Sequence, residues 1–461
     1  MQPFPVGPST FEAIWEGRDA ASAALITPKR TWSTAELRNE VERVACALLT
    51  RGLGAGDRVV WAPADDAANL ISLLATVRAG GVWVGLSPRS TASERARVLE
   101  LTGATAVNEA LPDEDPSLTL PPPPPPDAVA AIAMTSGTTG RPKGVVHAQQ
   151  QLLYPAAAAI ATERLTHTTR IGTPLPLTTL NILLLGPVTA LACGGTAVSM
   201  PSPEAEAFTS TVQAHTLTRT LVVPTIVHDL VVKRIDPARL RSLDRMLIGG
   251  AGFDRTRARA AQEHLGVPLI ASYGLSEAPT GVARMRIGEA GATALPGIDI
   301  QVEPDGEITL APTAHGPWAN TWQGALGYLG EADASSRLWR HGRLRTGDAG
   351  ALDGDGHLLV AGRVSEMINR GGATIAPAEV EHVLLALDDV IDAAVFGVPD
   401  ERLGQIVAGA LVGSVDLDIV SAAVRAELSA YKVPTRWLVL DSLPRNEQGK
   451  VDRNELRRLL T

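Results

Sequence analysis

Apolar positions along this chain follow two alternating rhythms. Ser33-Thr34-Ala35-Glu36 has the form of a capping box, and Leu37, Val41, Val44, Ala45 and Leu48 follow it at helical spacing. Arg51-Gly52-Leu53-Gly54 ends that helix, and Asp57-Arg58-Val59-Val60-Trp61-Ala62 reads as the next strand. The pattern predicts a second helix over 66–78, a Gly80-Gly81 break and a strand at Val82-Trp83-Val84. Ala128-Val129-Ala130-Ala131-Ile132-Ala133 is a further apolar run with the character of a buried strand. Helix and strand keep alternating, which predicts α/β layers with largely parallel sheets.

Pro121 to Pro126 is an unbroken hexaproline, extended and non-helical because proline fixes φ and lacks an N–H. It suits a stiff surface connector ahead of the strand at 128–133, or a ligand for a proline-reading module. After Gly362 the rhythm changes to a helix over 379–387, strands over 390–398 and 406–412, a helix over 419–428 and a strand over 437–440. Such a unit, about one hundred residues of α+β structure, is large enough to fold around its own core. The expected division is therefore 1–362, a connection at 363–366, and 367–461.

Composition narrows the classes. The 461 residues, 45% hydrophobic and 20% charged, fit a soluble protein of more than one domain with a large core. A formal net charge of −9 gives a nucleic-acid partner no support from bulk electrostatics. Cys46 and Cys193 lie far apart without histidines at metal-ligand spacing, so they read as buried thiols rather than a disulfide or zinc site. Met1-Gln2-Pro3-Phe4-Pro5 lacks the basic segment and apolar core of a signal peptide. The apolar stretch 182–193 is broken by Gly186-Pro187 and is too short to span a bilayer, so a cytoplasmic location is expected.

The chemistry concentrates in Met134-Thr135-Ser136-Gly137-Thr138-Thr139-Gly140-Arg141-Pro142-Lys143-Gly144. A strand opening into a glycine-hydroxyl loop presents N–H and O–H donors to one small volume, and Lys143 adds a mobile positive charge; such a concavity suits phosphate oxygens. The Walker loop is excluded, because Gly137-x2-Gly140-x2-Lys143 is too short and Gly144 follows the lysine. Three further groups are notable. Ser272-Tyr273-Gly274-Leu275-Ser276-Glu277, expected after a strand end, offers an aromatic face, close backbone approach and a metal-facing carboxylate. Arg345-Thr346-Gly347-Asp348 carries a carboxylate able to accept both hydroxyls of a ribose. Leu443-Pro444-Arg445-Asn446-Glu447-Gln448-Gly449-Lys450-Val451 places a lysine in a polar loop near the end.

Together these stretches, in this order and over nearly the whole chain, resemble the adenylate-forming superfamily of acyl-CoA synthetases, luciferase and peptide-synthetase adenylation domains. The resemblance implies a large N-terminal domain of sheets flanked by helices with a small β-barrel-like part, and a mobile α+β C-terminal domain. It implies that ATP phosphates lie on Thr135, Ser136, Gly137, Thr138, Thr139, Gly140 and Lys143, with Gly250, Ala251, Ser272, Tyr273, Gly274 and Ser276 completing the nucleotide site. Tyr273 would pack on adenine, Asp348 would bind the ribose, and Arg363 in Gly362-Arg363 would sit near ribose and phosphate. Mg2+ would lie at Glu277 and Thr138, and Lys450 would swing in during adenylation. Asn369-Arg370-Gly371-Gly372-Ala373 would open a passage for a pantetheine thiol, Gly371 and Gly372 leaving it room.

Some positions depart from the family pattern. Ser276 replaces the usual Thr, Ala148-Gln149 stands where a Thr-His pair often follows the phosphate loop, and Ser365 stands at the hinge pivot where Asp or Lys is usual. Thr179 stands where many relatives carry a histidine or aromatic at the acyl pocket. The resemblance places Thr179, Val227, Gly249, Gly250, Ala251, Gly252 and Leu275 along that pocket; an apolar, glycine-rich wall without Arg or Lys favours an aromatic or short-to-medium aliphatic monoacid over a dicarboxylate. The implied partners are a small carboxylic acid, ATP and CoA. The alternative acceptor is the phosphopantetheine of a separate carrier protein, and a degenerate nucleotide sensor is the non-enzymatic alternative. Intact Lys143, Glu277, Asp348 and Lys450 speak against the sensor.

Overall fold

Side-chain chemistry explains the first elements directly. In the computed structural model, which describes residues 7, 9–113, 118–135, 143–249, 255–371, 373–445 and 451–460, Ser33 and Glu36 close a reciprocal capping box on the helix Thr34–Thr50. The second helix, Asp66–Arg78, is capped by Asp65, whose side chain accepts from the Ala67 and Ala68 N–H groups. The first helix packs on the second, which covers the strands Arg58–Trp61 and Val82–Gly85; there Trp61 and Trp83 are buried but donate their indole N–H to Thr76 and Ser72 at 2.9 and 3.0 Å.

Two large sheets carry the N-terminal part. A six-stranded sheet pairs Val107–Asn108, Arg58–Trp61, Val82–Gly85 and Val129–Thr135 in parallel, then adds Lys143–Ala148 and Gly327–Tyr328 antiparallel at one edge. A nine-stranded sheet has a parallel centre, from Ala23–Ile26 through Thr196–Ser199, Arg170–Thr173, Arg219–Val222 and Arg245–Ile248 to Leu269–Leu275. The largely parallel expectation holds for these centres only. A third sheet, built on Ile298–Val302, Glu307–Pro312 and Arg343–Leu352, is antiparallel, as are most pairings of the fourth. Short turns such as that between Ile298–Val302 and Glu307–Pro312 permit antiparallel pairing that helix-length crossovers do not.

The stretch 180–192 is one buried helical run in which Leu184–Val188 takes π-helical form around Pro187. The wider turn accommodates a proline that cannot donate, and Thr189 Oγ1 donates to the Leu184 carbonyl at 2.7 Å. No helix among the described residues is long and apolar enough to cross a membrane. Both cysteines are buried and free. Pro121 to Pro126 forms no helix, and Gln149 anchors it by donating to the Pro124 and Pro125 carbonyls while accepting from Phe11 N–H.

The strand Leu358–Arg363 ends the third sheet; a single turn at Val364–Glu366, with Ser365 exposed, leads to Ile368–Arg370 in the fourth. That sheet and the helices Pro377–Leu385 and Leu417–Glu427 enclose a core of Ile368, Ile375, Val380, Leu384, Val395 and Val424. Arg257, on the helix Arg255–Leu265, reaches across to this unit and donates to the Ile391 carbonyl at 3.1 Å.

Candidate functional site

The edge of the six-stranded sheet sets the first half of the site. Val129–Thr135 and Lys143–Ala148 form a hairpin in which Thr135 faces Lys143, and the Thr135 hydroxyl donates to the Lys143 carbonyl at 3.4 Å. Lys143 therefore opens a strand rather than a helix, which agrees with exclusion of the Walker geometry. Ser136, Gly137, Thr138, Thr139 and Gly140 lie outside the described residues, as do Gly250, Ala251, Gly252, Gly372 and Lys450. The Lys143 ammonium lies 4.8 Å from the Tyr328 ring centre and 3.4 Å from Glu331 Oε2. The Tyr328 hydroxyl donates to Glu277 Oε1 at 2.8 Å. Burial, and then the Glu277 carboxylate, push the Tyr328 hydroxyl pKa up, so the phenol keeps its proton and acts as donor.

The second half lies at the carboxyl end of the nine-stranded sheet. Here the structure corrects an expectation: Ser272, Tyr273, Gly274 and Leu275 are within the strand Leu269–Leu275, and only Ser276 and Glu277 turn out of it. The antiparallel partner Ala278–Arg286 prolongs the ladder through this motif, with Ser272 opposite Arg284 and Tyr273 opposite Ala283. Glycine is required at 274, since a Cβ would fall 2.8 Å from the Thr280 carbonyl oxygen. Tyr273 donates to Asp348 Oδ2 at 2.7 Å, and Arg363 Nε is 2.9 Å from Asp348 Oδ1. Burial and then Asp348 push the Tyr273 pKa up, whereas Arg363 pulls it down; the Arg363 charge acts on Tyr328 as well, so one field joins the two halves.

Asp348 is held by its own turn. Gly347 sits at φ +68°, its N–H donates to Glu307 Oε1 at 3.0 Å, and Arg345 Nε donates to Glu307 Oε2 at 2.7 Å. Glu307, a buried carboxylate with no place in the sequence reading, thus shapes the turn that presents Asp348. Arg363 is opposite Asp348 across neighbouring strands, which explains their pairing although they lie far apart in the sequence.

His147 and Tyr328 were also absent from the sequence reading. His147 Nε2 donates to the Ser276 carbonyl at 2.8 Å, and since a carbonyl only accepts, the proton resides on Nε2. Its Nδ1 has no hydrogen-bond partner among the described residues, for the nearby Gln151 amide serves Ala148 N–H and the Gly324 carbonyl. Burial drives the His147 pKa down from 6.5 to about 4, so a neutral imidazole steadies the Ser276-Glu277 turn. The available signal was a histidine four positions after Lys143, in a strand of otherwise apolar residues.

The residues assigned to the acyl pocket are less united. Thr179 is exposed ahead of the helix Leu180–Leu183, and a Cβ at Gly249 would meet no atom of the described residues within 4 Å. Val227 has no accessible surface, because its helix presses it into the core with Met200, Phe208 and Ile248, and Leu275 is buried beside Tyr154 and Ala278. These two are core residues rather than residues facing open space. Gly371, at φ +57°, opens the hairpin turn after Ile368–Arg370 and donates to the Leu403 carbonyl at 2.8 Å. The turn alone accounts for glycine there.

One hard-cation position fits the chemistry. Glu277 has one oxygen taken by Tyr328, and no side chain among the described residues hydrogen-bonds to the other. Mg2+ takes one or two carboxylates together with substrate phosphates, so a single poised carboxylate is an adequate protein ligand. Asp353, Asp355 and His357 also gather their ligand atoms, but Asp353 is engaged by the N–H groups of Asp355 and His357, which is ordinary turn chemistry.

The family model for AMP-binding enzymes matches residues 12–111 and 105–316, and that for the AMP-binding enzyme C-terminal domain matches 379–450. Indoleacetate–CoA ligase of Aromatoleum aromaticum is 30% identical over 96% of this chain and 96% of its own. Feruloyl-CoA synthase of an Amycolatopsis species is 30% identical over 96% of this chain and 98% of its own. Among solved structures, o-succinylbenzoate CoA synthetase from Bacillus subtilis, complexed with its acyl-adenylate, superposes with a TM-score of 0.83 at 26% identity, covering 97% of each chain.

Proposed function

Because the chain belongs to the AMP-binding enzyme family, we propose that it is an ATP-dependent carboxylate–CoA ligase acting on an aromatic or short-to-medium aliphatic monoacid. The observation that carries this reading is the convergence of Lys143, Tyr273, Glu277, Asp348 and Arg363 from separate segments onto two clusters joined through Arg363. The aryl acids named for its full-length relatives support the substrate class.

A free carboxylate resists thiol attack because its leaving group would be an oxide. In the proposed first step its oxygen bonds to the α-phosphorus of ATP, the bond to the β-phosphate breaks, and pyrophosphate leaves. Asp348 and Arg363 hold the ribose, Tyr273 supports the base, and Lys143 meets the phosphates. Lys450 offsets the charge that develops in the transition state. Bound Mg2+, held by Glu277 with Thr138 as a further ligand, supplies neutralising charge to the phosphates. In the second step the CoA sulfur attacks the acyl carbon, the bond to phosphate breaks, AMP leaves and the thiol proton passes to solvent. The smaller unit would turn about 363–366 between steps, the Gly371-Gly372 turn then facing the adenylate.

A pyrophosphate-release screen over aryl, alkyl and amino acids tests the reading, followed by AMP release with and without CoA. Release with an aryl or alkyl monoacid, accelerated by CoA, is expected. Turnover with none of the acids overturns the assignment; AMP release indifferent to CoA moves the acceptor to a carrier protein.

A further inference from the structure

Tyr328 occupies a place that the reaction above does not use. Its strand, Gly327–Tyr328, is the outermost of the six-stranded sheet and pairs with Lys143–Ala148, setting Tyr328 opposite Val145. The backbone is held from both sides: Leu329 N–H donates to the Gly144 carbonyl at 2.8 Å, and Tyr328 N–H donates to Ser335 Oγ at 2.8 Å. Even Gly327 is dictated by this clamp, with φ +146° and space for a Cβ only 2.8 Å from Ser335 Oγ. The side chain so fixed touches two groups of opposite charge, its ring face toward Lys143 and its hydroxyl on Glu277. The Glu277 backbone is fixed as well, by the Ala325 N–H on its carbonyl at 2.7 Å and by His147 on the preceding carbonyl.

A carboxylate on a fixed backbone still rotates about its terminal torsion. A charge-assisted hydrogen bond to one oxygen removes that freedom and aims the other. We propose that Tyr328 is a positioning residue, whose hydroxyl aims the second oxygen of Glu277 at the divalent cation accompanying the nucleotide phosphates while its ring seats Lys143 beside them. This rests on the nucleotide reading of the site given above. Tyr328 touches neither substrate nor reacting atoms, so its effect belongs to cation affinity rather than to the chemical step.

The test is Tyr328→Phe, which keeps the ring and the backbone ladder and removes only the hydroxyl. The Mg2+ concentration for half-maximal ATP–pyrophosphate exchange should rise roughly tenfold, the loss of about 1.4 kcal/mol expected for one charge-assisted bond, with little change at saturating Mg2+. Calorimetric ATP affinity should fall by a similar factor in Mg2+ and stay unchanged in EDTA. In a cycle with Glu277→Gln, the double variant should need no more Mg2+ than Glu277→Gln alone. An unchanged Mg2+ requirement in Tyr328→Phe, equal loss of ATP affinity with and without Mg2+, or multiplying effects in the cycle would each overturn the proposal. If the wild type exchanges pyrophosphate with no acid, the functional reading fails, while the calorimetric comparison still decides the role of Tyr328.

Discussion

Glu163→Gln removes a buried negative charge that three arginines share. Glu163 ends the helix Gln149–Glu163 with its side chain only 7% exposed, facing three arginines from neighbouring strands. Arg219 Nε, on a side chain 1% exposed, is 3.0 Å away, Arg245 is at 3.6 Å, and Arg284 makes a direct ion pair. Burial alone would raise the Glu163 carboxyl pKa, but the three guanidiniums outweigh it and hold it below the usual range. With an effective dielectric of about 20, each attraction at 4 Å is worth about 4 kcal/mol, so three give about 12. Desolvation of these buried charges offsets most of that gain, and the balance depends on this carboxylate. Neutralising it leaves buried positive charge uncompensated, and the expected cost is roughly 3 to 5 kcal/mol. Urea unfolding followed by tryptophan fluorescence should show it as a large fall in midpoint at an unchanged slope. Replacing Arg284 by Met in the Glu163→Gln background should restore part of the loss, because without Glu163 nothing offsets the repulsion that Arg284 adds. A loss below about 1 kcal/mol, or additive effects of the two substitutions, would refute the charge argument.

Three further outcomes follow from the site. The folded pKa of His147 is depressed from 6.5 to about 4, so between those values the unfolded chain binds the extra proton and stability falls as pH falls; about 2 kcal/mol should be lost from pH 7 to pH 5, measured by urea unfolding, and His147→Gln should flatten that dependence. Gly274→Ala places a Cβ 2.8 Å from the Thr280 carbonyl oxygen, which should cost about 1 to 3 kcal/mol in thermal unfolding and weaken ATP binding with it. Lys450→Ala should lower adenylation by roughly two orders of magnitude or more, while a supplied acyl-adenylate is still converted to thioester; equal loss in both half-reactions would remove the assigned role.

Local signals carried far in this chain. The capping box at Ser33, the helix Asp66–Arg78 and the buried strand at 129–133 appear where hydrophobic period and cap chemistry put them, because those forces act within a few residues. The Tyr273-Gly274 pair and the turn before Asp348 were likewise legible, since the backbone geometry they need restricts which residues can stand there. The end of the strand at Leu275 was not, because its extension depends on pairing with Ala278–Arg286 rather than on its own residues. Nor was the buried state of Val227, which a polar-apolar pattern cannot distinguish from a pocket wall.

By itself, then, the order of residues determined most of the elements, the family and part of the site's chemical inventory, without Glu307, His147 and Tyr328. Tertiary structure alone decided that Arg363 pairs with the Asp348 that accepts from Tyr273, that Tyr328 stands between Lys143 and Glu277, and that Glu163 answers three arginines. The reason is physical: each of these depends on strand register and on burial, which set distance and dielectric between residues far apart in the chain, and neither quantity is a property of any short stretch.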